Sequence, residues 1–185
     1  TTEIIGSLLR MCVKFTKSGW VRYYEWAGQY RQVNITKGNF PFLAARQIPR
    51  LMTDFENGPL CKYTPCIYTS QDYIVRAIAI VHTELVLIHP FREGNGRFAR
   101  LLASLMALQA ELPTLDFGGI QGKKRQEYFL AIQAGVDNDY KPMEKIFDAV
   151  IRRTLRRFRD DDRFSRFLHR FNCFCNCGVN TFNSS

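Results

Sequence analysis

One run of the chain, Gln71 to Ile88, is apolar on almost every side. Ile74, Val75, Ala77, Ile78, Ile80, Val81, Leu85, Val86 and Leu87 make it apolar on most faces. A helix with that pattern has to be wrapped by other elements. It is therefore the expected centre of the fold, and the other helices its walls. Thr69 or Ser70 is placed to cap its start. Pro90 sets its end, because the residue before a proline is pushed out of the α region, so the helix should stop at His89. His82, inside the run, reads as a packed structural histidine.

The residues just past this helix concentrate chemistry: His89-Pro90-Phe91-Arg92-Glu93-Gly94-Asn95-Gly96-Arg97-Phe98-Ala99-Arg100. Gly94-Asn95-Gly96 reads as a tight turn. Residues 97–110 read as a helix with Leu101, Leu102, Leu105 and Leu108 as its apolar positions. A glycine turn that opens a helix exposes free N–H groups at the positive end of the helix dipole, where an anion is favoured. Arg97 and Arg100 are three apart and share a face near that end. Two cations there oppose the dipole, which makes more sense beside an anion. Arginine suits bidentate phosphate contacts. Glu93 offers a hard oxygen ligand for a Mg²⁺ that also holds phosphates. His89 can serve as a neutral general base near pH 7. Taken singly, a histidine before proline, a Gly-Asn-Gly turn and two helical arginines are ordinary structure. Their order between two apolar helices is the more specific signal.

That stretch resembles the signature of the Fic family, His-x-Phe-x-(Asp/Glu)-Gly-Asn-Gly-Arg-x-x-Arg, and every specified position matches. Tyr24-Glu25-Trp26-Ala27-Gly28-Gln29-Tyr30-Arg31 resembles the segment before the family's flap, residues 33–42 resemble the flap, and Asn138-Asp139-Tyr140-Lys141-Pro142-Met143 resembles the region after the adenine-pocket helix. The likeness spans about residues 20–155. It implies an all-α fold, a helical bundle with a small β-hairpin flap, as a domain over 1–158 followed by a basic, cysteine-bearing tail over 159–185. It further implies an AMP transferase that uses ATP and Mg²⁺ on a Ser, Thr or Tyr hydroxyl of a target protein. His89 would deprotonate the hydroxyl and Glu93 would hold Mg²⁺ on the α- and β-phosphates. Gly94, Asn95 and Gly96 would cradle phosphates, and Arg97 and Arg100 would neutralise the departing pyrophosphate. Tyr128 would line the adenine pocket, although as a core residue it needs no ligand at all. Thr36, Lys37, Gly38, Asn39 and Phe40 would dock an extended target segment.

The rest of the chain is consistent with one domain. Its 185 residues are 46% hydrophobic, enough for a sizeable core. Residues 3–17 carry a weak helical stripe of Ile4, Ile5, Leu8, Leu9 and Cys12, and the aromatics Tyr23, Tyr24, Trp26 and Tyr30 are expected on the core. Residues 32–42 alternate and contain the hairpin signal Lys37-Gly38-Asn39. Residues 44–55 read as helical with a break at Pro49, ended by Asn57-Gly58-Pro59, and a loop should follow over 61–70. Gly118-Gly119-Ile120-Gln121-Gly122-Lys123-Lys124 looks like a phosphate loop but is one residue short, with Lys124 where Ser or Thr is needed. It is dismissed as such. Residues 124–136 and 142–158 read as helices, with Pro142 opening the second.

The net charge is +9. Much of it lies in Arg152, Arg153, Arg156, Arg157, Arg159, Arg163, Arg166 and Arg170, which read as a solvated helix face interrupted by acids rather than a nucleic-acid stripe. Cys12, Cys61, Cys66, Cys173, Cys175 and Cys177 form no Cys-x-x-Cys pair, so reduced thiols in a cytoplasmic protein are expected. No membrane span or signal peptide is legible. The chain starts without Met, so an upstream stretch is expected. Relatives are often inhibited by a helix bearing Ser/Thr-x-x-x-Glu-Gly/Asn, whose glutamate meets the second signature arginine, here Arg100. Thr53-Asp54-Phe55-Glu56-Asn57 is one residue short of it. The inhibitory glutamate, if used, is therefore expected from a separate small acidic partner, which resembles the toxin–antitoxin arrangement of small relatives, or from sequence outside this stretch. Two other readings stand beside AMP transfer: transfer of another phosphate-bearing group such as UMP or phosphocholine, and a nucleotide-binding or interaction module without turnover. Gly94 and Gly96 argue against the kinase branch, which has Ala and Lys around the central Asn, and the intact His89 argues against a module without turnover.

Overall fold

The structure is a computed structural model and describes residues 28–160. The expected stripe over 3–17, the aromatics Tyr23, Tyr24 and Trp26, and the tail from 161 onward lie outside the described residues. What is described is helical apart from one hairpin, as expected. The hairpin pairs β1 (Thr36–Lys37) with β2 (Phe40–Pro41), Thr36 facing Pro41 and Lys37 facing Phe40. Gly38 takes φ +59 at the first central position of the turn, where two-residue hairpins of one type call for glycine. The Phe42 N–H donates to Ile35 O, 3.1 Å, and extends the pairing by one bond.

A single 3₁₀ turn, Ala45–Gln47, leads into α1 (Ile48–Phe55). Pro49 sits in the first turn of α1, where its missing N–H has no partner to lose. It therefore starts this helix. The helical path does not stop at Asn57-Gly58-Pro59 as expected. The chain stays helical through a π-type turn, Glu56–Leu60, and one last turn, Cys61–Tyr63, so the loop begins at Thr64. The wider turn accommodates a proline that cannot donate to the usual i−4 carbonyl.

The central helix α2 spans Gln71–Ile88, as its pattern predicts, and thirteen of its residues are buried: Ile74, Val75, Ala77 to Thr83, and Leu85 to Ile88. Ser70 sits at its N-cap with no side-chain capping bond. Helices α3 (Asn95–Gln109) and α5 (Lys141–Asp160) pack along α2, and α4 (Lys123–Ala134) closes the bundle against α2 and α5. On α3 the buried side chains include Phe98, Leu102 and Met106, while Leu105 is only partly buried and Leu108 is 50% exposed. The α3 stripe thus keeps Leu102 of the leucines that the sequence suggested and leaves Leu108 outside. It follows Ala99, Ala103 and Ala107, whose small side chains allow close helix approach.

Gly118 and Gly119 have a structural explanation. A Cβ on Gly118 would stand 2.9 Å from Asp116 Oδ1, and one on Gly119 would stand 3.3 Å from Arg153 Cδ. Asp116 accepts from Gly118 N–H (2.8 Å), Arg153 Nε (2.9 Å) and Arg157 Nη1 (3.0 Å). The three donors hold its carboxyl down at about 2, the Gly118 N–H first among them. This node ties the turn Phe117–Gly119 to α5. It also pairs two arginines of the expected solvated face, which stay exposed, and Arg152 on the same face pairs with Asp148. Of the cysteines described, Cys61 is exposed and free. Cys66 is buried, which raises its thiol pKa to about 11. Among the described residues no helix is long and apolar enough to cross a membrane.

Candidate active site

His89 is the C-cap of α2 and takes a left-handed backbone, φ 51 and ψ 58. A non-glycine residue in that region costs roughly 1–2 kcal/mol, so the surrounding contacts must hold it there. The proline rule predicts that the helix stops here, and it does, by turning left-handed rather than extending. That turn aims the imidazole back across the helix end. His89 Nδ1 lies 3.2 Å from Val86 O. A carbonyl can only accept, so Nδ1 carries the proton and Nε2 keeps its lone pair. On its other side the ring stacks on Phe42, with centroids 3.8 Å apart and planes 23° apart. Burial pushes the imidazole down to about 4, and the Arg31 and Lys37 charges push the same way against the Val86 bond. The ring is therefore neutral at pH 7, with its acceptor nitrogen unprotonated.

The loop after Pro90 is shaped by Asn95. Its Oδ1 accepts from Phe91 N–H (2.9 Å) and its Nδ2 donates to Phe91 O (2.7 Å). This buried side chain closes the loop through its Oδ1 and one of its two Nδ2 N–H groups. Gly94, at φ +88, makes the turn alone and lets α3 begin at Asn95, two residues earlier than the spacing suggests. The leading N–H groups of α3 have no carbonyl behind them within the helix. Arg97 and Arg100 are both exposed on its first two turns, and Glu93 is exposed on the loop.

A cavity of about 540 Å³ gathers much of this set. Lys37, Phe40, Phe42, Val86, His89, Gly96, Arg100, Phe117, Tyr128, Phe129 and Gln133 are among its walls. Its size and largely apolar lining suit a small-molecule ligand. Of the residues singled out by the sequence, His89, Gly96, Arg100, Tyr128, Lys37, Gly38 and Phe40 meet here. Glu93, Gly94, Asn95, Arg97, Thr36 and Asn39 stand outside its walls. Tyr128 has two faces. Its ring lines the cavity, and its hydroxyl donates inward to His82 Nε2, 2.8 Å, while His82 Nδ1 donates to Ala99 O, 3.1 Å. His82 is thus the packed structural histidine expected, held neutral by burial that lowers it to about 4. Across the mouth, Lys37 of the hairpin lies 4.1 Å from the centre of the Phe129 ring.

Arg31 was not singled out by the sequence for any role. It is 1% exposed, and its guanidinium donates to His89 O (2.7 Å), Val33 O (2.7 Å), Leu43 O and Ile88 O (3.4 Å). The only sequence clue is an arginine ending an aromatic segment just before the hairpin.

The family model for the Fic/DOC family matches residues 5–107. A protein adenylyltransferase Fic of Culex quinquefasciatus is 36% identical over 131 residues, which is 69% of this chain and 24% of that protein. A probable protein adenylyltransferase Fic of Escherichia coli K12 is 28% identical over 132 residues, 69% of this chain and 62% of that protein. The chain thus spans about a quarter of the first of these relatives. Among solved structures, a Fic domain containing signaling protein from Bacteroides thetaiotaomicron superposes with TM-score 0.63 at 21% identity, covering 83% of this chain and 66% of that one. The Bartonella tribocorum BepC protein with bound AMPPNP superposes with TM-score 0.61 at 22% identity, covering 77% and 73%. These structural matches show the fold. The sequence signature, the cavity it builds and the matched family model agree, and the chain belongs to the Fic/DOC family.

Proposed function

We propose that this domain transfers AMP from ATP to a hydroxyl of a target protein. The observation that carries this reading is a neutral His89, its Nδ1 tied to Val86 O and its Nε2 free, in the wall of a cavity that also holds Gly96 and Arg100. In this reading His89 Nε2 takes the proton of the target hydroxyl as its oxygen attacks the α-phosphorus. The bond from that phosphorus to the α–β bridging oxygen breaks, and pyrophosphate leaves. Arg100 in the cavity wall, and Arg97 beside it on α3, balance the charge gathering on the leaving group, with the first N–H groups of α3 directed at the phosphates. Such chemistry is mostly positioning and charge neutralisation around one base.

Glu93 fits Mg²⁺ in the way that ion is usually held, by one carboxylate together with substrate phosphates. Among the described residues no group of three acidic, histidine or cysteine side chains gathers into a protein-only cage. When bound, the ion would neutralise phosphate charge. The hairpin edge offers Thr36 to Phe40 to an extended target segment by strand addition. Arg100, exposed at the cavity, is the residue an inhibitory partner's glutamate would reach, and the +9 chain suits an acidic partner.

The test is a comparison of α-labelled and γ-labelled ATP, each with Mg²⁺ and a protein lysate. Label on protein from the α position alone is the expected result. Label from the γ position would make the reaction phosphoryl transfer and overturn the proposal.

A further inference from the structure

We infer that Arg31 is a positioning residue for this reaction: its buried guanidinium grips the backbone at His89 and at both ends of the hairpin in one fork, so the base and the target-docking edge keep a fixed relation. The inference rests on the function proposed above.

The contacts divide into two groups. Toward the signature, Nε donates to His89 O at 2.7 Å, Nη2 reaches Ile88 O at 3.4 Å, and the Arg31 backbone N–H donates to Pro90 O at 2.9 Å. Three successive carbonyls around the end of α2 are thus held by one residue. Toward the hairpin, Nη1 donates to Val33 O at 2.7 Å and Nη2 to Leu43 O. Val33 precedes β1 and Leu43 follows β2, so the fork closes the base of the hairpin. Among the described residues the fork's partners are all carbonyls. A buried guanidinium without a carboxylate is costly unless its donors are satisfied. This one gives its N–H groups to carbonyls that must stay where they are.

Two consequences follow for the base. The left-handed His89 backbone is pinned at its own carbonyl, which lets it persist against its intrinsic cost. Phe42, whose ring stacks on the imidazole, sits one residue before the pinned Leu43. The fork thus fixes both the backbone that carries the imidazole and the ring that lies on it. Lysine cannot substitute: one ammonium on a flexible stem does not span carbonyls on two segments as a planar fork does.

The test compares the unmutated chain with Arg31→Lys and Arg31→Met. Transfer kinetics, nucleotide affinity and the His89 ring-nitrogen NMR signature are read for each. We expect folded variants in which kcat falls ~100-fold, the size of loss that a displacement of about 1 Å can cause. Nucleotide affinity should stay within about threefold, since the change touches orientation and not uniform binding. The His89 signature should change from a single Nδ1–H tautomer to a mixture. A folded Arg31→Lys with full kcat, or an unchanged His89 signature in Arg31→Met, would overturn the inference. If the unmutated chain moves no AMP, the function proposal falls, and the His89 signature alone still decides the role of Arg31. Should both variants fail to fold, hydrogen exchange on the unmutated chain decides. An Arg31 Nε–H protected as long as the core amides supports the fork, and exchange on mixing overturns it.

Discussion

His89 has two properties that bear on pH. Its Nε2 is unprotonated, and its pKa is lowered to about 4, chiefly by burial. If it is the base, the acid limb of kcat/KM should lie near pH 4 to 5, well below the ordinary histidine value of about 6.5. An acid limb centred at 6.5 would contradict the buried, stacked ring. The same shift couples to folding. His82 also binds its proton only near 4 when folded but near 6.5 when unfolded, so the unfolded chain takes up protons first as pH falls. Stability attributable to His82 should be full above about pH 6.5 and be lost as pH drops toward 4, by about 3 kcal/mol in total. Urea midpoints at pH 7 and pH 4.5 would show it, and a flat profile would contradict it. Tyr128→Phe should cost about 1–3 kcal/mol by leaving His82 Nε2 buried and unpaired, seen as a lower melting temperature.

Single elements show what was legible in the sequence. The limits of α2 could be read directly, because an all-round apolar run bounded by Ser70 and His89-Pro90 admits few alternatives. The hairpin was legible from Lys37-Gly38-Asn39, but its ladder is shorter than the alternation suggests. The π-type turn through Pro59 was missed, since a proline reads as a stop and only tertiary packing shows that the chain carries on. On α3 Leu102 was legible as buried but Ala99, Ala103 and Ala107 were not, because alanines that permit close packing carry little hydrophobic signal. Gly135, at the end of α4, is another packing device. A Cβ there would meet Thr83 Cγ2 of α2 at 2.3 Å. Gly135→Ala should therefore destabilise by about 1–3 kcal/mol through overpacking, and thermal unfolding would measure it. An unchanged melting temperature would mean that α4 can move away from α2 freely.

At the scale of the molecule, the local signature was legible and the long-range support was not. The order His89, Glu93, Gly94, Asn95, Gly96, Arg97, Arg100 could be read in one stretch, but its three-dimensional use could not. Asn95 closes its own loop, and Arg31 reaches 58 positions along the chain to His89. Such pairings leave no periodicity behind. The bundle around α2 serves to present one helix end, one loop and one hairpin around a single cavity. Asp116 should matter on this scale too, because it anchors the turn that carries the Phe117 wall to α5.

A base at His89 would act on bound substrate, whereas a mere wall residue would not. The measurement is transfer of α-label and affinity for ATP, side by side, in the unmutated chain and in His89→Ala. We predict affinity within about threefold and transfer reduced by at least about 10²-fold, the usual loss when a general base is removed. Undiminished transfer in His89→Ala would contradict the account.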